Sequence, residues 1–374
     1  MKQLSLGTIP LLCAAIAPLY AASPPPDPAR QFEQRWNDNQ ITPMTNPKPH
    51  GSFNPFFTGD YIYWKAYEKG LNFVWNGTPD APTPVPPNAT HGKVFHPRFQ
   101  WASGFKVGLG NKFSHDGWDL YAQYTQLLPK AGEEEEMECC ETELTSPPKW
   151  SNYWLDTNAG PESVLIDEAA HWHLRFNVLD LELGRDYYFS RFLTLRPFAG
   201  MKFAWTRERY KVKFHNVMTV GDEGDTAEDS TDVIPLGSNI KLKFTQREFG
   251  VGIRAGLDAN WYFYNWIGIY GDFAMTGLWN RFKEKRQDEI NTPEGTEYLS
   301  ARIKDKVYDV TAVFEIGLGL FFEWTFGRTY VLEIAAGWEN QIWFNQNNFI
   351  YLMNTNAPGN LSLEGFTLSA GLAF

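Results

Sequence analysis

Cysteine is scarce in this chain of 374 residues: there are three, and Cys13 falls in an N-terminal leader. The remaining Cys139 and Cys140 cannot staple a fold, so a disulfide scaffold is excluded. Beyond residue 22 no run of about 18 apolar residues occurs, which excludes a helical membrane span. Positive charge is also short. Lys+Arg 33 against Asp+Glu 44 leaves a formal net charge of -11, which argues against nucleic acid as a partner. There is no G-x-S-x-G and no sequence-local catalytic constellation, so no enzyme activity, metal or cofactor is expected. The recurring glycines (Gly104, Gly108, Gly110; Gly250, Gly252, Gly256; Gly317, Gly319) run straight through strand-like alternation. A nucleotide fingerprint would need a strand, a tight turn and a helix instead. Such glycines relieve curvature and leave room for inward side chains.

Aromatic residues are plentiful: 16% of the chain, with Trp 15, Tyr 17 and Phe 28, yet the mean hydropathy is -0.39. Strands that are wet on one side reconcile these two values. The last ten residues, GFTLSAGLAF, show the pattern most cleanly. Phe366, Leu368, Ala370, Leu372 and Phe374 share one parity, while Thr367, Ser369, Gly371 and Ala373 share the other. A period of two is a strand. Termini fray, so a globular protein rarely ends on its most apolar strand. A closed barrel does end that way, because its last strand pairs with its first. An apolar outside and polar inside is the arrangement of a barrel solvated by lipid.

Residues 1–22 read as a signal peptide, with Lys2 as the charged start and Leu4–Ala17 as the apolar core. Residues 23–55 are proline-rich and read as an extended periplasmic segment; a segment folding back to plug the barrel is the alternative. From residue 56 to 374 the alternation predicts an all-β fold, an antiparallel transmembrane β-barrel. Strands are expected near 56–68, 99–111, 117–128, 171–187, 192–208, 240–256, 264–280, 306–321, 329–344 and 363–374. Short joints are expected at 112–116, 188–191, 257–263 and 322–328. Long joints fall at 69–98, 129–170, 209–239, 281–305 and 345–362. Short periplasmic turns and long external loops are the asymmetry of an outer-membrane barrel. The count is about 10 strands, or 12 if Leu71–Trp75 adds to the sheet.

Two stretches break parity. Trp172, Leu174, Phe176 and Val178 are out of phase with Leu179, Leu181 and Leu183; Ile240, Leu242 and Phe244 are out of phase with Phe249, Val251 and Ile253. A one-residue slip would restore a single apolar face, so β-bulges are expected near Val178-Leu179 and within Thr245–Glu248. Pro197, which removes a ladder donor, is expected near the periplasmic rim. Aromatics near strand ends predict interfacial girdles. They include Tyr61, Tyr63, Trp64, Trp101, Trp118, Tyr121, Trp205, the cluster Trp261–Trp266, Trp279, Trp338 and Trp343.

Charges whose parity turns them inward are the candidate pore-lining residues: Asp119, Arg175, Arg196, Lys202, Glu208, Arg254, Asp258, Asp272, Asp309, Glu315, Glu333 and Glu339. Acids exceed bases, which predicts a mild cation preference if the bore is open. In a small barrel the same charges pair with one another and fill the bore. His171 and His173 are expected on the inward face at the external rim; two ligands do not make a metal site. The stretch Glu133–Glu143 (EEEEMECCETE) admits three readings: a metal site, intermolecular disulfides through Cys139 and Cys140, or a solvated acidic loop.

Five blocks carry a resemblance: FFTGDYIYWKAYEKGLNF (56–73), HDGWDLYAQYTQL (115–127), HWHLRFNVLDLELGRDY (171–187), FLTLRPFAGMKFAWTRERY (192–210) and FGVGIRAGLDANWYFYNW (249–266). In this order they are similar to the pore-forming major-outer-membrane-protein family of Legionella and chlamydia-related bacteria. The closing strand also resembles the C-terminal signature that outer-membrane barrels present to their assembly machinery. The resemblance implies the outer membrane and a porin-like role, and it supplies no catalytic residues. Cysteine cross-links among envelope proteins of the chlamydial relatives lend weight to the disulfide reading of Cys139 and Cys140. The expected function is passive diffusion of small hydrophilic solutes or ions. The alternative is a structural or adhesive surface barrel with a closed lumen, whose long loops bind a host or envelope partner. Expected partners are outer-membrane lipid, the solutes or ions themselves, and envelope proteins reached through Cys139 and Cys140.

Overall fold

The computed structural model describes residues 54–374 apart from 80–88, 114–116, 137–148, 151–162, 165–166, 191, 220–237, 265, 296, 327–329 and 351–358. The leader, most of the proline-rich segment and the Cys139-Cys140 pair lie outside the described residues.

A closed antiparallel barrel of 10 strands forms the body. In chain order they are β1 (Asn54–Glu68), β2 (Trp101–Lys112), β3 (Trp118–Leu127), β4 (Asp167–Arg185) and β5 (Leu193–Thr219). Then come β6 (Ser238–Tyr264), β7 (Ile267–Asn291), β8 (Glu297–Phe326), β9 (Tyr330–Asn347) and β10 (Gly359–Ala373). Each pairs with the next, and β10 returns to β1 with Phe56 opposite Ala373 and Glu68 opposite Leu361. That last pairing removes both edges, as hydrocarbon demands. The stretch near Leu71–Trp75 adds no barrel strand. Val74–Pro79 pairs instead with Ala89–Phe95 and Lys149–Trp150 in a separate three-stranded sheet. Lys130–Glu136 is also a strand, paired along β4, so the acidic stretch begins as ladder rather than loop.

The strands are longer than their sequence boundaries suggest. The joint expected at 257–263 is ladder: Tyr262 lies opposite Gly268 and Tyr264 opposite Ile267, which leaves 265–266 as the connection. β8 likewise runs to Phe326, past the expected end at 321. The loop expected at 281–305 is mostly the paired ends of β7 and β8, from Arg281 opposite Tyr308 to Asn291 opposite Glu297. Crossing a bilayer takes about 9–11 residues per strand, whereas β5 and β6 have 27 each. The hydrogen-bond ladder therefore continues well beyond the membrane.

Neither expected bulge exists. From Asp167 opposite His215 to Gly184 opposite Phe198, the β4–β5 register holds through Val178-Leu179. The β5–β6 register likewise holds from Leu193 opposite Trp261 to Phe214 opposite Ile240. The side chains keep alternating; what changes is the solvent on each face. In the lower part of the barrel the apolar residues point out. Ile253, Ile316 and Leu318 are among the most exposed apolar side chains, at 66%, 59% and 62%. From Tyr308 to Leu320 this outward run climbs about 40 Å along the strand, or roughly 30 Å along the axis at a tilt of about 40°. That matches the hydrocarbon thickness. Trp205, Phe249, Trp279 and Tyr308 mark its outer limit, and Trp261, Phe263, Trp266 and Trp324 its inner one, all turned outward.

Above the outer ring the faces exchange roles. Trp172, Leu174, Phe176, Ile240, Leu242 and Phe244 point inward and are buried, together with Tyr210, Val212 and Phe214. Outward positions there carry Arg and Lys. Water has replaced lipid outside, so the interior becomes the apolar side, as in a water-soluble barrel. Three aromatics expected in the girdles belong to the interior instead. Trp64 and Trp343 are fully buried, and the Tyr121 hydroxyl lies 2.6 Å from Thr58 Oγ1. Pro197 lies opposite Leu257 near the turn end, as expected. Gly110 gives space to the inward ring of Phe56.

Two substitutions separate the two environments. Ile316→Arg, in the lipid-facing band, is expected to destabilise the folded protein in phospholipid vesicles by about 2–4 kcal/mol. Phe244→Ala, above the band, is expected to cost about 3–5 kcal/mol through a core cavity, and equally in vesicles and in detergent. Urea titration of folded against unfolded bands on unheated gels measures both.

Candidate functional site

The lumen is the site, and it is built in two layers. The lower layer is a polar cavity of about 290 Å³, inside the lipid-facing band. Parity in β4 places Asp180 and Glu182 inward between the outward Leu179, Leu181 and Leu183, and the facing strands supply cations. Arg196 donates from Nε and Nη2 to the two carboxylate oxygens of Asp119, at 3.0 and 2.6 Å. Its Nη1 donates to Asp258 at 2.7 Å and to Glu182 at 3.3 Å. Arg254 donates from Nε to Glu182 at 3.1 Å and pairs with Glu315 at 2.6 Å. Lys202 closes the chain, reaching Asp180 and Glu315 at 2.8 Å each. Phe198 lies between the two guanidinium groups, its ring centre 5.4 Å from each. Lys106 forms a separate pair with Glu339.

These contacts neutralise most of the charge. Three cations hold five carboxylates in one connected network, and every hydrogen bond in it is charge-assisted. Asp60, Asp272 and Glu333 line the same cavity, so the excess is acidic. Four of the lining groups, Asp60, Lys106, Asp180 and Glu182, are not among the candidate residues, although alternation with Tyr61 in β1, with Phe105 and Val107 in β2 and with Leu181 in β4 points to them.

The upper layer is apolar and filled. Trp64, Trp172 and Trp343 are 0% exposed. Phe176 meets Trp343 edge to face at 5.2 Å. Below this layer, Lys202 lies 5.8 Å from the centre of the Trp343 ring and Lys106 4.9 Å from that of Trp64, so the aromatic floor caps both ammonium groups of the cavity. The segment after β9 folds into the same space. Asn345 takes φ 54°, a conformation that Asn tolerates, and the chain turns inward there. Gln346 then donates from Nε2 to Glu248 at 2.6 Å, and Gln246 donates to the Gln346 carbonyl at 2.7 Å. Phe349 packs on Tyr210 and Phe244, with ring centres 6.2 and 5.8 Å apart. Nothing in the alternation of β9 marks 345–349 as an inward segment.

The candidate residues therefore fall into groups. Asp119, Arg196, Lys202, Arg254, Asp258 and Glu315 are joined in the network, and Asp272, Glu333 and Glu339 line the cavity beside it. Glu208 is fully buried higher up, near Gln246. Asp309 accepts a hydrogen bond from the backbone N–H of Val310 on its own strand. Arg175 does not face the lumen. It shares the outward parity of His173, because β4 lacks the bulge, and lies opposite Arg207. His171 and His173 turn outward for the same reason.

Arg254→Met leaves Glu182 and Glu315, both largely buried, with less compensation. Stability is expected to fall by about 3–5 kcal/mol, and Arg254→Met/Glu315→Gln is expected to recover part of it. Thermal unfolding in detergent reads both variants.

The family model described as Legionella pneumophila major outer membrane protein precursor matches residues 45–374. No curated protein matches the chain. Among solved structures, the outer membrane protease OmpT from Escherichia coli is 14% identical, with 87% of this chain and 99% of that one covered and a TM-score of 0.36. A major outer membrane protein from Thermus thermophilus is 10% identical over 85% of this chain and 99% of that one, with a TM-score of 0.24. Ail of Yersinia pestis, in complex with a heparin analogue, is 8% identical over 87% and 100%, again with a TM-score of 0.24.

Proposed function

We propose that this chain, which belongs to the Legionella pneumophila major outer membrane protein family and resides in the bacterial outer membrane, is a surface barrel with a closed lumen and no chemical step. The observation that carries this reading is the filled upper layer. A hydrated ion or sugar crossing from the polar cavity would have to pass Trp64, Trp172 and Trp343, which are packed with no exposed surface. Stripping water from a charged solute in apolar surroundings costs several kcal/mol or more. The mutual pairing of lumen charges points the same way, because a conducting filter offers its charges to the solute. Under this reading the protein's work is structural and external. It anchors a tall barrel wall that stands clear of the membrane, with its loops at the top.

A second reading, a porin passing small hydrophilic solutes or ions, is favoured by the polar cavity and its acidic excess. Conductance across planar bilayers separates the two. The closed-lumen reading expects no steady unit conductance from the wild type, and conductance from Trp64→Ala/Trp343→Ala, which opens the floor. A steady wild-type conductance that prefers cations, with a reversal potential shifted by Glu333→Gln, would overturn it in favour of the porin.

A further inference from the structure

The outer wall above the aromatic ring carries a charge pattern that neither lumen reading uses. In one row straight across five strands, Arg175 lies opposite Arg207, Arg207 opposite Arg247, Arg247 opposite Lys283, and Lys283 opposite Lys306. All five point outward. Adjacent strands are about 4.8 Å apart, so the row is roughly 20 Å wide. One step higher, Arg209, Lys285 and Lys304 share a second row with His173 and Thr245. A third row holds Lys211, Lys243 and Arg302 with His171 and Gln287. No acid occupies any of these positions. Among outward positions the nearest acid, Glu289, is one row further up and is already held by Lys241 and Lys243; Asp305, between Lys304 and Lys306, has the opposite parity and lies across from Glu284.

Like charges directly opposite one another destabilise a sheet, and this chain has a net charge of -11. Among the described residues, none of the five cations in the lowest row has an ion-pair partner. The Nε of Arg207 is moreover shielded from solvent with no hydrogen-bond partner. A wall that concentrates cations against the overall charge of the chain has a counter-anion outside it.

Position names that anion's class. The lowest row begins one same-face step above the outer ring: Arg207 follows Trp205, Arg247 precedes Phe249, Lys283 stands above Trp279 and Arg281, and Lys306 precedes Tyr308. Aromatic rings of this kind sit at the level where acyl chains meet headgroups. Phosphates attached to lipids are held at that height, whereas a soluble polyanion has no reason to follow the ring. We infer that the outward face of β4–β8 is a binding site for a phosphorylated glycolipid of the outer leaflet, its phosphates bridging the Arg175–Lys306 row and its acyl chains lying on Trp205, Phe249 and Trp279. Arg guanidinium groups grip phosphate bidentately, and paired anions relieve the cross-strand repulsion. This holds whether or not the lumen conducts.

The folded protein in neutral detergent is titrated with diphosphorylated lipid A, read by tryptophan fluorescence and native mass spectrometry. Saturable binding is expected, at least ten-fold weaker with the dephosphorylated lipid. Arg207→Gln/Arg247→Gln/Lys283→Gln is expected to lose at least ten-fold in affinity while its Tm without lipid stays equal or rises, a gain that a structural role for these side chains would not give. Should that variant fail to fold, Lys283→Gln/Lys306→Gln, at two exposed positions, reads the same loss. Affinity within two-fold of wild type in the folded variant, or equal binding of the dephosphorylated lipid, would overturn the assignment. Displacement of the lipid by inorganic phosphate or a soluble sulfated polysaccharide at equal affinity would also overturn it, and give the face to a soluble polyanion.

Discussion

Everything in this molecule depends on closing the hydrogen-bond ladder. Hydrocarbon offers nothing to a free backbone N–H or C=O, so the final strand must find the first. The pairing of Phe56 through Glu68 with Ala373 through Leu361 does this. Once the ladder is closed, each strand has one outward and one inward parity along its whole length, and each parity must suit whatever solvent it meets at each height. The strands do not slip to accommodate a change of solvent. Their side chains change instead.

That change divides the barrel into two proteins stacked on one ladder. Within the membrane it is a lipid-solvated barrel, apolar outside and filled with paired charge. Above the membrane it is a water-solvated barrel, charged outside and filled with aromatic residues. Each half makes the other's interior tolerable. The aromatic layer covers the upper end of the network, where Lys202 is almost fully buried, and low exposure strengthens its ion pairs there. The paired charges in turn give Trp343 the network's Lys202, and Trp64 the separately paired Lys106, beneath their rings. Closing the top of the lumen with Gln346 and Phe349 costs polar groups their water, and Glu248, Thr206 and Gln246 supply the replacing bonds.

Much of this was legible from alternation. The closing strand, the outward faces of β8 and β9, the count of ten and, Arg175 excepted, the inward set from Asp119 to Glu339 all follow from a period of two and the cost of a carboxylate in lipid. What failed was one assumption, that the apolar parity must always face outward. It turned Trp172–Val178 and Ile240–Phe244 into bulges that do not exist. It also placed Arg175, His171 and His173 on the wrong side and read the ladder at 281–305 as a loop. The corrective signal was in the chain: where the phase of Phe and Leu inverts, the opposite phase fills with Arg and Lys. The entry of Phe349 into the lumen was not legible, because it depends on a turn at Asn345 and on contacts with Tyr210 and Phe244 far away in sequence.

The inversion itself is the claim on which the rest stands, and site-directed spin labelling in vesicles reads it most directly. With Cys139 and Cys140 replaced by serine, single labels at Leu318, Phe244 and Lys283 report collision with lipid-soluble oxygen and with a water-soluble nickel chelate. The account predicts that Leu318 meets oxygen, Lys283 meets the chelate and Phe244 meets neither. A label at Phe244 that collides with oxygen as freely as one at Leu318 would restore the bulge, return that face to the lipid and contradict the filled upper lumen.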